Sequence, residues 1–114
     1  MKAFFVELSP FERNRKAHLN DCEYSLFQQM LLANPEAGAV IANSGGLRKV
    51  RFGSVRRSKG KRGGVRVIYY YWRSGLQFWL FTLYDKDELD DLSSDQRRQL
   101  KALLEREVKA RQAP

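Results

Sequence analysis

Val65-Arg66-Val67-Ile68-Tyr69-Tyr70-Tyr71-Trp72, Arg73-Ser74-Gly75, Leu76-Gln77-Phe78-Trp79-Leu80-Phe81-Thr82-Leu83-Tyr84: this stretch decides the fold. Its two outer segments are rich in β-branched and aromatic residues, which fit a pleated surface better than a helix. The polar Arg73-Ser74-Gly75 between them predicts a hairpin and interrupts the apolar run well short of a membrane span. Both strands are apolar on both faces, the pattern of the centre of a covered sheet. Strand alternation puts Val65, Val67, Tyr69 and Tyr71 on one face and Arg66, Ile68, Tyr70 and Trp72 on the other. Arg66 is then a lone charge entering a central apolar strand, where burial requires an anion or a partner.

Upstream, Leu47 to Ser54 alternates as a half-buried strand with basic side chains, and Val55 to Gly64 (VRRSKGKRGG) has no period and reads as a loop. Lys2 to Leu8 is β-leaning. Ser9-Pro10-Phe11-Glu12 predicts a helix start, with Ser9 as N-cap, Pro10 at the first helical position and Glu12 closing a capping box. That helix runs to about His18. A second helix follows a cap at Asn20 or Asp21, places Tyr24, Phe27, Leu31 and Leu32 on one face, and ends at Asn34-Pro35. Residues 34–46 read as a loop closed by Ser44-Gly45-Gly46. Ser93 and Gln96 form a capping box for a last helix that stripes Leu100, Leu103, Leu104 and Val108. The order is β-α-α-β-β-β-α. It predicts a single α+β domain over residues 1–114, with a small curved, mostly antiparallel four-stranded sheet and helices packed on one face.

The chain has 114 residues, is 43% hydrophobic and 30% charged, and carries a net charge of +8. That charge has a place. Residues 1–46 hold four bases and five acids, residues 85–114 seven bases and eight acids, and residues 47–84 ten bases and no acid. Such a block repels itself within a Debye length of roughly 10 Å, and a polyanionic partner is the natural reason to keep it. The single Cys22 cannot form an internal disulfide, and the short N-terminal apolar run is no signal peptide. A soluble cytoplasmic domain without a membrane partner is expected.

One His and one Cys exclude the usual zinc sites and the nucleophilic triads. His18 reads as a surface residue, Cys22 as a small buried or half-buried apolar side chain. The acids crowded between Asp85 and Asp95 are open to two readings, a hard-cation site or electrostatic support for the helix starting near Ser94. The Gly60 to Gly64 stretch is a basic loop and not a P-loop. What remains is Lys, Arg and aromatic chemistry, which suits a phosphodiester. RNA supplies its own nucleophile, the 2′-hydroxyl, so cleavage needs in-line alignment, proton removal and neutralisation of phosphate and leaving group, with no cofactor. A lysine is normally protonated, with a pKa of roughly 10.4. Crowding by Arg57, Lys61, Arg62 and Arg66 disfavours one more positive charge and so favours a lysine base. Tyr70 shares the Arg66 face and is open to two readings, core packing or stacking on a base.

Gly45-Gly46-Leu47-Arg48-Lys49, then Ser58 through Tyr71 (SKGKRGGVRVIYYY), then Leu83-Tyr84-Asp85-Lys86-Asp87-Glu88 and Asp91-Leu92-Ser93 together resemble a HigB-type toxin of the RelE/ParE superfamily, over nearly the whole chain. The resemblance implies a ribosome-dependent endoribonuclease, an mRNA interferase that cuts mRNA in the decoding site and arrests translation. It also implies a cognate antitoxin, of helix-turn-helix, HigA-like kind, with operator DNA bound only through the toxin–antitoxin complex. Carried over by position, Lys59 and Lys61 fall where the family presents catalytic lysines. Arg66 matches the arginine on the scissile phosphate, and Lys86 matches the basic residue after the last strand. Arg48, Lys49, Arg51, Arg56, Arg57, Arg62 and Tyr70 are implied RNA contacts. The chain departs from the RelE branch in lacking a tyrosine after Lys86, and from another branch in lacking its Glu and His acid–base residues. The general base is therefore left open, with Lys59 and Lys61 as candidates. A ParE-like gyrase inhibitor and a non-catalytic RNA- or DNA-binding module are the rival readings.

Overall fold

The computed structural model describes residues 2–53, 64–85 and 91–112. The hairpin forms as its composition dictates, with β4 (Val65–Trp72) and β5 (Gln77–Asp85) antiparallel at the centre of the sheet. Leu76, expected to open the second strand, instead closes the turn at φ 51°, its N–H bonded to the Arg73 carbonyl at 3.2 Å. β3 (Arg48–Phe52) pairs antiparallel with β4, and β1 (Phe4–Glu7) runs parallel to β5 on the other side. A two-residue strand β2 (Ala39–Val40) pairs with β3, so the sheet has five strands in the order β1-β5-β4-β3-β2. β2 lies in the segment read as loop. Two residues between turns carry no detectable period, and Arg48 and Lys49 alone define its register.

α1 (Ser9–His18) begins one residue earlier than its sequence suggests. Leu8 is the N-cap with no side-chain cap, and Ser9 is already helical, so the expected Ser9–Glu12 capping box does not form. α2 (Asp21–Ala33) carries the full box: Glu23 N–H donates to Asn20 Oδ1 at 2.7 Å and Asn20 N–H to Glu23 Oε1 at 2.8 Å. In α3 (Ser94–Gln112) the Ser93–Gln96 box is present as expected.

The helices cover both faces of the sheet, not one. Phe11 and Leu19 from α1 and Phe27 and Leu31 from α2 pack with Val67, Tyr69, Phe78 and Leu80. Leu100 and Leu104 from α3 pack with Ile68, Trp79 and Phe81 on the opposite face. This is why β4 and β5 lack a polar side: apolar residues on both faces of the two strands pack with helices. Among the described residues, no helix is long and apolar enough to cross a membrane.

Candidate active site

The register across β3, β4 and β5 builds one short row of polar side chains. Arg51 stands opposite Arg66, and Arg66 opposite Tyr84. Directly opposed residues of antiparallel strands hold their Cβ atoms about 5 Å apart, and like charges there are destabilising. Arg51 is exposed and Arg66 half-buried. Two guanidinium groups so placed favour an anion between or above them.

Tyr84 joins the row because of a β-bulge. The pairing passes from Ile68 with Thr82 to Tyr69 with Leu80, leaving Phe81 as the extra residue of β5. Before the bulge, Trp79 and Phe81 face α3; beyond it, Leu83 turns to the α1–α2 side and Tyr84 to the α3 side. Without that extra residue, Tyr84 would point away from Arg66. Tyr84 is only 7% exposed, and its hydroxyl has no hydrogen-bond partner among the described residues. Burial pushes its phenol up; the Asp91 carboxylate adds to this and Arg66 opposes it.

One step along β3, Lys49 shares the face of Arg51, and its Nζ lies 3.2 Å from Asp91 Oδ1. Asp91 also accepts the Leu92 N–H at 2.8 Å. That backbone donor first, then Lys49 and Arg97, hold its carboxyl below the usual range against the opposing effect of burial. Asp91 thereby ties the entry to α3 onto β3. Among the described residues no acidic cluster has the makings of a metal site.

Of the residues singled out from sequence, the sheet brings Arg66, Arg51 and Lys49 together. Arg48 points to the other face, donating to the Gly38 carbonyl at 2.7 Å and to Glu36 Oε2 at 3.2 Å. Tyr70 is on the Arg66 face but four residues along β4. There it packs on Trp79 with ring centroids 5.2 Å apart, beside Gly46 and the middle of α3. Lys59, Lys61, Lys86, Arg56, Arg57 and Arg62 lie outside the described residues. Gly64, at the border of that segment, sits at φ +58°, and a Cβ there would meet the Phe52 carbonyl oxygen at 2.7 Å. Glycine is what lets the chain return to the strand carrying Arg66.

Sequence reasoning missed Tyr84 and Asp91. Strict alternation from Trp79 puts Tyr84 on the wrong face, and only the bulge corrects it. Asp91 is hidden in a run of acids with nothing to distinguish it. Cys22 is exposed, contrary to the expectation of burial, because it falls on the outer side of the first turn of α2. His18 is half-buried at the end of α1, its Nδ1 2.9 Å from the Asn14 carbonyl oxygen.

No protein-family model matches the chain. Among solved structures, a mutant of the E. coli toxin RelE in the free state superposes with a TM-score of 0.53 at 12% identity, covering 79% of this chain and 90% of that one. The fold is that of RelE. The isolated E. coli RelE toxin gives 0.52 at 13% identity over 90% of this chain and 99% of that one. The intact E. coli RelBE toxin–antitoxin complex gives 0.52 at 11% identity, covering 74% and 96%. On this RelE-like scaffold the Arg51–Arg66–Tyr84 row crosses the three inner strands on the α3 face.

Proposed function

We propose that this chain is the toxin of a type II toxin–antitoxin pair of HigB type, a cytoplasmic, ribosome-dependent endoribonuclease that cleaves mRNA in the decoding site. The observation that carries the reading is the opposed Arg51–Arg66 pair on a RelE-like sheet, two guanidinium groups brought side by side as a phosphate-binding site requires. Arg66 holds the scissile phosphate and stabilises the charge that builds on phosphorus during 2′-hydroxyl attack. Arg51 binds the neighbouring backbone. Lys59 or Lys61 takes the hydroxyl proton, Lys86 completes the catalytic set, and Arg56, Arg57 and Arg62 hold ribosomal or messenger RNA. The reaction needs no cofactor, because the nucleophile belongs to the substrate.

An antitoxin partner is part of the same proposal. The RelBE complex pairs its toxin with one, and the HigB resemblance makes it a helix-turn-helix protein that carries the pair to operator DNA. The test is to add purified protein to ribosomes translating a defined mRNA and map the 5′ ends. Cuts inside the occupied decoding site support the reading; intact mRNA together with poisoned gyrase overturns it in favour of a ParE-like inhibitor. Lys59→Arg and Lys61→Arg keep charge but remove an amine able to give up its proton. Cleavage falling at least tenfold in one of them identifies the base.

A further inference from the structure

A cavity of about 330 Å³ opens on the α3 face beside the basic row, between the start of α1, β5 and the first turns of α3. That volume is at the small end of ligand pockets, which run roughly 300–1,000 Å³. Its walls are Leu92 and Leu100, both buried, and its polar lining includes Arg13, Thr82, Tyr84 and Gln99. Flat apolar walls with a few hydrogen-bonding groups at the rim are what an unstacked base requires.

Three observations bear on what the cavity takes. Tyr84 lines it while standing opposite Arg66 in the β4–β5 register, so the cavity and the phosphate row share a residue. The Tyr84 hydroxyl is more than nine-tenths buried and has no hydrogen-bond partner among the described residues, an unmet donor on a residue that lines the cavity. The lining is also donor-rich. Arg13 can only donate, Tyr84 has its O–H to give, and Thr82 and Gln99 can do both. A guanidinium with neighbouring donors matches the paired acceptors O6 and N7 of guanine.

We propose that this cavity binds one nucleobase of the RNA, a guanine, next to the phosphate held on Arg66, and so sets the sequence preference of cleavage. The proposal rests on the endoribonuclease reading for its consequence but not for its binding step. A phosphate fixed by the row and a base inserted beside it would be two contacts to one nucleotide.

The test titrates the full-length protein with guanosine 3′-monophosphate and, separately, with ribose 5-phosphate, following side-chain and backbone resonances by NMR. Both probes should shift Arg51 and Arg66. Only the guanosine nucleotide should shift the Gln99 side-chain amide and Thr82, with an affinity at least tenfold above ribose 5-phosphate. Gln99→Leu and Arg13→Gln, both at exposed positions and outside the packed clusters, should each lower the guanosine affinity three- to tenfold and leave ribose 5-phosphate unchanged. In the ribosome assay the same variants should flatten the base distribution at one position of the cut sites.

Equal affinities for the two probes, or no shift at Gln99 and Thr82, overturns the cavity while leaving the phosphate row intact. Shifts at Gln99 with intact mRNA on the ribosome support the cavity and overturn the endoribonuclease reading. Cleavage with an unaltered base distribution in both variants overturns the proposed role in preference.

Discussion

Two arginines of the sheet each stand opposite a tyrosine, and the two pairs have different fates. Arg48 faces Tyr69 across β3 and β4; Arg66 faces Tyr84 across β4 and β5. In the first pair both side chains are hydrogen-bonded within the protein. Tyr69 donates to the Pro35 carbonyl at 2.8 Å and accepts the Gly38 N–H at 3.0 Å, while Arg48 takes the Gly38 carbonyl and the Glu36 carboxylate. Together they fasten residues 35–38 onto the sheet. In the second pair the tyrosine hydroxyl has no hydrogen-bond partner among the described residues, and the arginine has a second arginine, Arg51, on its other side. The same pairing of side chains fastens a loop to the sheet in one place and, in the other, leaves a buried tyrosine hydroxyl without a hydrogen-bond partner among the described residues.

Removing Arg66, the arginine proposed to hold the phosphate, should give the largest effect. Arg66→Ala should lower ribosome-dependent cleavage by about 10²–10³-fold, the usual cost of losing a donor aimed at developing charge. Calorimetry on the same sample checks that the variant is folded, so that the loss is read per folded molecule. Cleavage within tenfold of wild type would break the assignment of this pair to catalysis.

Arg48→Ala should do the reverse. It strands the Gly38 carbonyl and the Glu36 carboxylate and should cost about 1.5–3 kcal/mol in urea unfolding, as for hydrogen bonds from charged groups. Cleavage per folded molecule should change less than threefold. A large loss of cleavage with little loss of stability would instead make Arg48 an RNA contact.

The tyrosines sharpen the comparison without altering charge. Tyr69→Phe leaves the Pro35 carbonyl and Gly38 N–H without their partner and should destabilise by about 1–3 kcal/mol. Tyr84→Phe removes a hydroxyl with no hydrogen-bond partner among the described residues and should be neutral or slightly stabilising. Matched urea titrations of the two variants decide it, and equal costs would mean that Tyr84 has a hydrogen bond in solution.

This contrast marks how far the sequence could be read. The faces of β4 were legible, because alternation alone separates Val67 and Tyr69 from Ile68 and Tyr70, and the two sets fall in different clusters. The caps at Asn20 and Ser93 were legible for the same local reason. The placement of α3 was not: an apolar stripe says that a helix packs but not on which side of a sheet apolar on both. Nor was the partner of Arg66, since a single inserted residue at Phe81 reverses the parity of the strand end that carries Tyr84. That Arg48 is bonded to residues 36–38 depends on a loop passing over it, a tertiary fact that no local pattern carries.

The smallest effect concerns the tie between the basic face and α3. Asp91 is exposed and Lys49 half-buried, with side-chain accessibilities of 61% and 33%, so solvent screens their attraction and the pair contributes under about 1 kcal/mol. Asp91 has a folded-state carboxyl held below its ordinary value of 3.8. Its contribution is therefore fully present above the unfolded pKa and is lost as pH falls through the lower folded one. Asp91→Asn keeps an acceptor for the Leu92 N–H and removes only the charge. The variant should match wild type below the folded pKa and lag it slightly at neutral pH, with the gap narrowing in high salt. A gap that persists at high salt would show that Asp91 holds α3 through its backbone hydrogen bond and not through Lys49.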